Sequence, residues 1–167
     1  MAYALGVPIL VLLAILQSVV FSQVRLIGGQ ADLVLLAVVA WALTGRWREA
    51  MILGLIGGVC LDLLSAVPLG ISSLGLVVVA YGVSVTEGRL WGAHLLTPLG
   101  VVLAASLVFS AISLLGSLLA GAVIDLGSVS TRVVLPSLFL NVVLALPAGQ
   151  LASVLQRMLF PPEVEIG

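Results

Sequence analysis

The sequence predicts an all-α membrane protein: a polytopic helical bundle of about six transmembrane helices. Three observations carry that prediction. First, 62% of the 167 residues are hydrophobic and 8% are charged, against about 25% charged in ordinary soluble domains. Six basic and seven acidic side chains cannot cover the surface of a soluble globule of this size, and a mean hydropathy of +1.38 makes lipid the natural solvent. Second, aromatics make up 5% and the apolar mass is Leu, Val, Ala, Ile and Gly, which suits close-packed helices better than an aromatic-girdled barrel. Third, a spanning helix takes about 20 residues, so six would take about 120. That leaves no room for a second domain, and the whole chain, 1–167, reads as a single integral membrane domain.

The first helix is expected over 4–22, an almost unbroken apolar run interrupted by Pro8 and Gln17. It reads as a retained helix rather than a cleaved signal peptide. After Arg25, Gly28 and Gly29, the apolar run 33–44 reaches spanning length only if its helix begins further back, so the second helix is expected over 27–44, short or tilted. Gly45, Arg46, Trp47, Arg48 and Glu49 form the densest charge in the chain and mark a membrane exit. The third helix is expected over 50–66 and the fourth over 70–85, joined by the uncharged turn at Pro68 and Gly70 into a hairpin. Residues 86–94, with Glu87, Arg89, Trp91 and His94, make a second exit. The fifth helix is expected over 95–120, a loop holding Asp125 follows, and the sixth helix fills 133–155 before a polar, Pro-broken tail.

Arginines near helix ends set orientation. Arg46, Arg48, Arg89 and Arg157 fall on one side and Arg25 and Arg132 on the other, which favours both termini in the cytoplasm. Asp32, Asp62 and Asp125 then lie toward the outer face. The chain has six Arg and no Lys, hence no polybasic tail, and no nucleic-acid partner is expected. The single Cys60 cannot form an internal disulfide.

Asp62 stands inside the third helix, flanked by Leu61, Leu63 and Leu64. A carboxylate at a helix centre costs roughly 2.5–3.5 kcal/mol on insertion scales, less near an end. Two readings stay open: a buried polar contact, such as a pair with Arg25 or Arg132 or with a partner's polar group, or a hydrogen bond to the Ser65 region or to the backbone of the Pro68 turn. Asp32 is placed to cap the second helix. Gly54, Gly57 and Gly58 leave one face of the third helix bare, a groove for a neighbouring backbone. Ser106, Ser110, Ser113 and Ser117 stack on one face of the fifth helix, as helix–helix glue or as the lining of a transport path. Asn141, Pro136, Pro147 and Gln150 imply that the sixth helix packs against protein or bends.

Catalytic motifs are missing. The chain has no His-Glu-x-x-His, Gly-x-Ser-x-Gly, Walker or Cys-x-x-Cys element, and His94 has no second ligand nearby, so no metal and no cofactor are expected. Asp32 with Asp62 invites comparison with the lipoprotein signal peptidases, but that family carries an Asn close to each Asp and neither carboxylate here has one. No enzymatic activity is expected.

The segment 54–70, Gly-Leu-Ile-Gly-Gly-Val-Cys-Leu-Asp-Leu-Leu-Ser-Ala-Val-Pro-Leu-Gly, resembles the signature of the rod shape-determining MreD family. There a Gly-rich helix runs into Asp-Leu-Leu-Ser and then Pro-Leu-Gly, matched here by Gly54, Gly57, Gly58, Asp62, Leu63, Leu64, Ser65, Pro68, Leu69 and Gly70. Ala31, Asp32, Leu33 and Val34 resemble the family's Pro-Asp-Leu-Leu, with Ala31 in place of Pro. Trp47, Arg48, Glu49 and Ala50 look like the step that precedes the Gly-rich helix. The resemblance implies a noncatalytic subunit of the bacterial cell-elongation and peptidoglycan-synthesis machinery in the inner membrane. Its expected partner is an MreC-like protein and, through it, MreB, RodA and RodA's transpeptidase partner. It also implies a fold similar to the substrate-binding subunits of energy-coupling-factor transporters. A vitamin-binding subunit of that transporter class is the alternative function.

Overall fold

A computed structural model describes residues 3–21, 29–65, 68–90, 97–122 and 125–159. Among these the chain is helical and contains no strand. Helix α1 (Tyr3–Leu16) continues as a π-helical turn, Gln17–Phe21; α2 (Leu33–Ala42) and α3 (Trp47–Leu64) follow, then α4 (Ile71–Leu90) and α5 (Thr97–Leu119). A short α6 (Leu126–Val129), a π-helical turn (Ser130–Val134) and α7 (Leu135–Leu159) run on without a break. The result is six helical rods.

Among the described residues only two stretches are long and apolar enough to cross a membrane, Leu99–Leu119 and Gly127–Gln150. Six rods form, as expected, and among the described residues the other four are too short or too polar to pass that test. The clearest case is the second, expected over 27–44 and observed as ten residues, Leu33–Ala42. Conversely, α4 runs past 85 to Leu90 and the last rod begins at Leu126 rather than 133. Arg25, Trp91 and His94 lie outside the described residues.

The short helix is the centre of the bundle. It packs against α1, α3, α4, α5 and α7 and buries Val34, Leu35, Leu36, Val38, Val39, Ala40 and Ala42. A helix that is apolar all round belongs in an interior. Around it, α3 and α4 form the most extensive pair, with α4 on α5 and α5 on α7. Leu10 and Ala14 of α1, Leu53 and Leu61 of α3, Leu76 and Val83 of α4, and Phe109 of α5 complete the core.

The ends of the rods follow local chemistry. Helix α5 closes in a Schellman arrangement, with Ala122 N–H on Ser117 O and Gly121 N–H on Leu118 O, both 3.0 Å, and Gly121 in the left-handed region at φ 87°. The second π turn sits just before Pro136, where Leu135 N–H bonds Ser130 O. A proline has no N–H to continue the ladder, and a widened turn is one way a helix passes it.

Candidate functional site

Two carboxylates, one near the end of α3 and one at the start of α2, organise the polar interior. The first is Asp62, 3% exposed, near the end of α3. Its Oδ2 accepts Gly70 N–H (2.8 Å), Ser73 N–H (3.4 Å) and Ser73 Oγ–H (3.1 Å), and its Oδ1 accepts Ser72 N–H at 3.0 Å. These are the open N–H groups at the start of α4, which have no partner within their own helix. Asp62 thus caps α4 from the neighbouring helix, with its negative charge at the positive end of the α4 dipole. Among the described residues it makes no ion pair; Arg25 lies outside them, and Arg132 is exposed. Ser65 turns the other way, its Oγ–H donating to Leu61 O at 2.6 Å.

The glycines make this cap reachable. A Cβ on Gly58 would sit 2.3 Å from Ser73 Cα and 2.5 Å from Ser73 N; one on Gly54 would sit 3.3 Å from the Leu76 backbone. One bare strip of α3 therefore lies directly on the α4 backbone, which brings the first turn of α4 within reach of Asp62. Gly57 faces elsewhere, its Cβ position 2.8 Å from Val34 Cγ1 of α2. The groove expected on α3 is filled by the chain's own α4 and α2. Gly70 supplies the corner, at φ 100°, a conformation that costs glycine little.

The second centre surrounds Asp32, at the start of α2. Asp32 occupies the N-cap position, but its side chain makes no cap hydrogen bond, which corrects the expected role. Its Oδ1 accepts Gln17 Nε2–H at 3.0 Å and its Oδ2 accepts Asn141 Nδ2–H at 3.4 Å. The cap comes from Gln17 instead, whose Oε1 accepts Val34 N–H at 3.1 Å. Asn141, 1% exposed, also accepts Asp32 N–H at 2.8 Å through Oδ1 and donates to Ser106 Oγ at 3.1 Å. One helical turn earlier, Ser137 Oγ accepts Gln30 N–H at 2.9 Å. The spacing explains the match: two residues of open chain cover about 6.6 Å and four residues of helix about 6 Å. Alternate N–H groups of residues 29–32 therefore meet α7 side chains one turn apart. Gly29 permits the approach, since a Cβ there would lie 2.6 Å from the Pro136 backbone.

Depth makes this centre consequential. Helix α2 rises about 15 Å over its ten residues, half of a hydrocarbon core about 30 Å thick. Its far end carries the charged turn of Arg46, Trp47 and Arg48, and its N-terminus is enclosed by Ser137, Asn141 and Gln17. Non-helical backbone there is tolerated only where protein satisfies it, which is what Ser137, Asn141 and Gln17 do.

The serine row divides. Ser106 joins the Asp32 centre, and Ser117 Oγ–H returns to Ser113 O of its own helix at 2.8 Å. Ser110 and Ser113 are half-buried. Asp32 and Asp62 belong to separate networks, and among the described residues no group of three or more His, Cys, Asp or Glu side chains is placed to hold a metal. Cys60 is half-buried against the core. Sequence reasoning missed Gln17 as a capping group and the pairing of Asn141 with Asp32; the signal available was a lone amide in each of two apolar helices, since an unpaired amide in lipid is costly.

At the far end of α2, Trp41 Nε1–H donates to Glu49 Oε2 at 3.3 Å, Arg46 pairs with Glu49 at 2.8 Å, and the Arg48 guanidinium lies 5.2 Å over the Trp47 ring. Asp125 is exposed at the start of the last rod. There the Ser128 hydroxyl (2.5 Å) and Gly127 N–H (3.2 Å) hold its carboxyl below the usual carboxylate range.

An apolar helical bundle whose interior carboxylates hold its own backbone has the make-up of a helical membrane protein. The comparisons make that class specific. The sequence model of the rod shape-determining protein MreD matches residues 2–155, and the chain belongs to the MreD family, a membrane-protein family of the rod-shape system. No curated protein and no solved structure matches the chain.

Proposed function

We propose that the protein is a noncatalytic, multi-pass subunit of the bacterial cell-elongation machinery in the inner membrane, with both termini in the cytoplasm. In this reading it binds an MreC-like partner and through it reaches MreB, RodA and RodA's transpeptidase partner in peptidoglycan synthesis. The observation that carries the proposal is the family match over 2–155. The side-chain chemistry supports it: Asp62 is spent on the N–H groups of α4, and Asp32 on Gln17 and Asn141. In this reading Asp32, Asp62, Ser65, Pro68, Gly70, the three glycines of α3 and the serines of α5 serve the bundle itself, and a partner meets the apolar outer faces, such as Leu135, Phe139 and Val143 of α7, all exposed.

The test is complementation with co-purification. In a rod-shaped bacterium lacking its MreD, the chain co-expressed with its MreC-like partner should restore rod shape and retain that partner through detergent purification. Round cells and no retained partner, from a chain that is folded and membrane-inserted, would overturn the reading. A small molecule bound one to one and seen by native mass spectrometry would favour the transporter alternative instead.

A further inference from the structure

A cavity of about 440 Å³ opens between α1, α2 and α7. Its walls include Leu10 and Leu13 of α1, Leu36 and Ala37 of α2, and Pro147 and Ala148 of α7, and every residue around it is apolar. The one polar side-chain atom among them, Trp41 Nε1, is engaged by Glu49. Well-packed interiors leave few voids larger than a water molecule, and an apolar void stays dry rather than filling with water. In a membrane protein, what fills such a space is hydrocarbon.

Size, position and charge narrow the occupant. An apolar cavity of about 150 Å³ takes one benzene, so 440 Å³ has room for about three six-carbon groups, the bulk of one acyl chain. The cavity follows α2 from Leu33 to Trp41, about 12 Å along the helix, a length close to half of a hydrocarbon core about 30 Å thick, and it ends beside the charged turn. At its outer end Arg46 and Arg48 outnumber Glu49, Arg48 is exposed, and Trp41 joins the cavity wall to Glu49 of that turn. A net positive charge at the interface attracts anionic headgroups.

We propose that this cleft binds one acyl chain of an anionic phospholipid from the leaflet on the Arg48 side, with its phosphate at the turn of residues 46–48. The lipid completes the packing of α1 on α7 across α2. This is independent of the assignment to cell elongation.

The test reconstitutes the full-length protein in phosphatidylcholine vesicles containing phosphatidylglycerol spin-labelled near the end of one chain, and reads motionally restricted lipid by electron spin resonance. The wild type should hold one restricted phosphatidylglycerol per chain beyond the boundary lipid. Ala148→Phe, which fills the cleft, should lose it, and Leu146→Phe on the exposed face should keep it. Ala37→Leu is the milder filling variant should Ala148→Phe fail to fold. Arg48→Gln should keep a restricted chain but lower the preference for phosphatidylglycerol over spin-labelled phosphatidylcholine at least two-fold. Restricted lipid that persists in the folded filling variants overturns the proposal, as does equal restriction of both lipids in the wild type. Absence of restricted lipid together with crosslinking between copies through the cleft would assign it to a protein helix and equally overturn it.

Discussion

Asp62 shows what holds a carboxylate in the interior of an apolar bundle. Its two oxygens accept four hydrogen bonds from the first turn of α4, and hydrogen bonds to a charged acceptor are worth about 1.5–3 kcal/mol each. Asparagine has the same shape but offers one acceptor oxygen and turns an NH2 toward N–H donors. Asp62→Asn should therefore destabilise the protein by about 2–4 kcal/mol, measured by equilibrium unfolding in mixed detergent micelles. A change below about 0.5 kcal/mol would mean that the charge is dispensable. The oddity of Asp62 was legible from its place in an apolar run, and one of the two readings left open, a bond to the backbone of the Pro68 turn, is what Gly70 N–H makes; the bonds from Ser72 and Ser73 were not legible, because they depend on how the chain turns at Pro68 and Gly70. Asn141 was harder still. The comparison with the lipoprotein signal peptidases sought an Asn beside Asp32 in sequence, whereas the Asn that bonds it lies 109 residues away.

Helix contacts set the next level. The Gly54 and Gly58 positions share a strip of α3 but differ in clearance, 3.3 Å against 2.3 Å to the α4 backbone. Gly54→Ala should be close to neutral, since about 1 kcal/mol of helix propensity offsets a mild contact. Gly58→Ala should cost about 2–3 kcal/mol, because α4 must move away and take Ser72 and Ser73 off Asp62. Thermal unfolding of the two variants side by side checks this, and equal melting temperatures would refute the close approach. The third and fourth helices and their hairpin were readable from apolar length, the bare glycine face and the Pro68 turn. The start of α2 was not. Hydropathy counts residues 29–32 as part of a span, but Gln30 N–H bonds Ser137 and Asp32 N–H bonds Asn141, so these donors serve α7 rather than a helical ladder of their own. The last rod likewise starts early, because Asp125 caps it through Gly127 and Ser128.

At the scale of the molecule, the shortest of the long helices holds the others together. Helix α2 touches α1, α3, α4, α5 and α7, and the Asp32 centre links α2 to Gln17, Ser106 and Asn141 on three of its neighbours. Amide exchange follows burial and cooperative opening rather than helix length. In hydrogen-exchange measurements on the protein in micelles, Leu35, Val38 and Val39 should be among the slowest to exchange. Asn141→Leu should speed them at least ten-fold by leaving Asp32 without one of its partners, a loss of about 1–3 kcal/mol. Exchange in α2 as fast as in α6 would disprove the central role. The sequence alone determined the solvent, the helical class, the approximate count of rods and the family, since composition and apolar run length are sums over the chain and a motif is local. Only the tertiary structure decided which carboxylate caps which helix, why α2 begins only at Leu33, and where the apolar cleft lies. Each of these is a contact between residues far apart in sequence, and in lipid the demand that every backbone polar group find a partner can be met only once the whole bundle is in place.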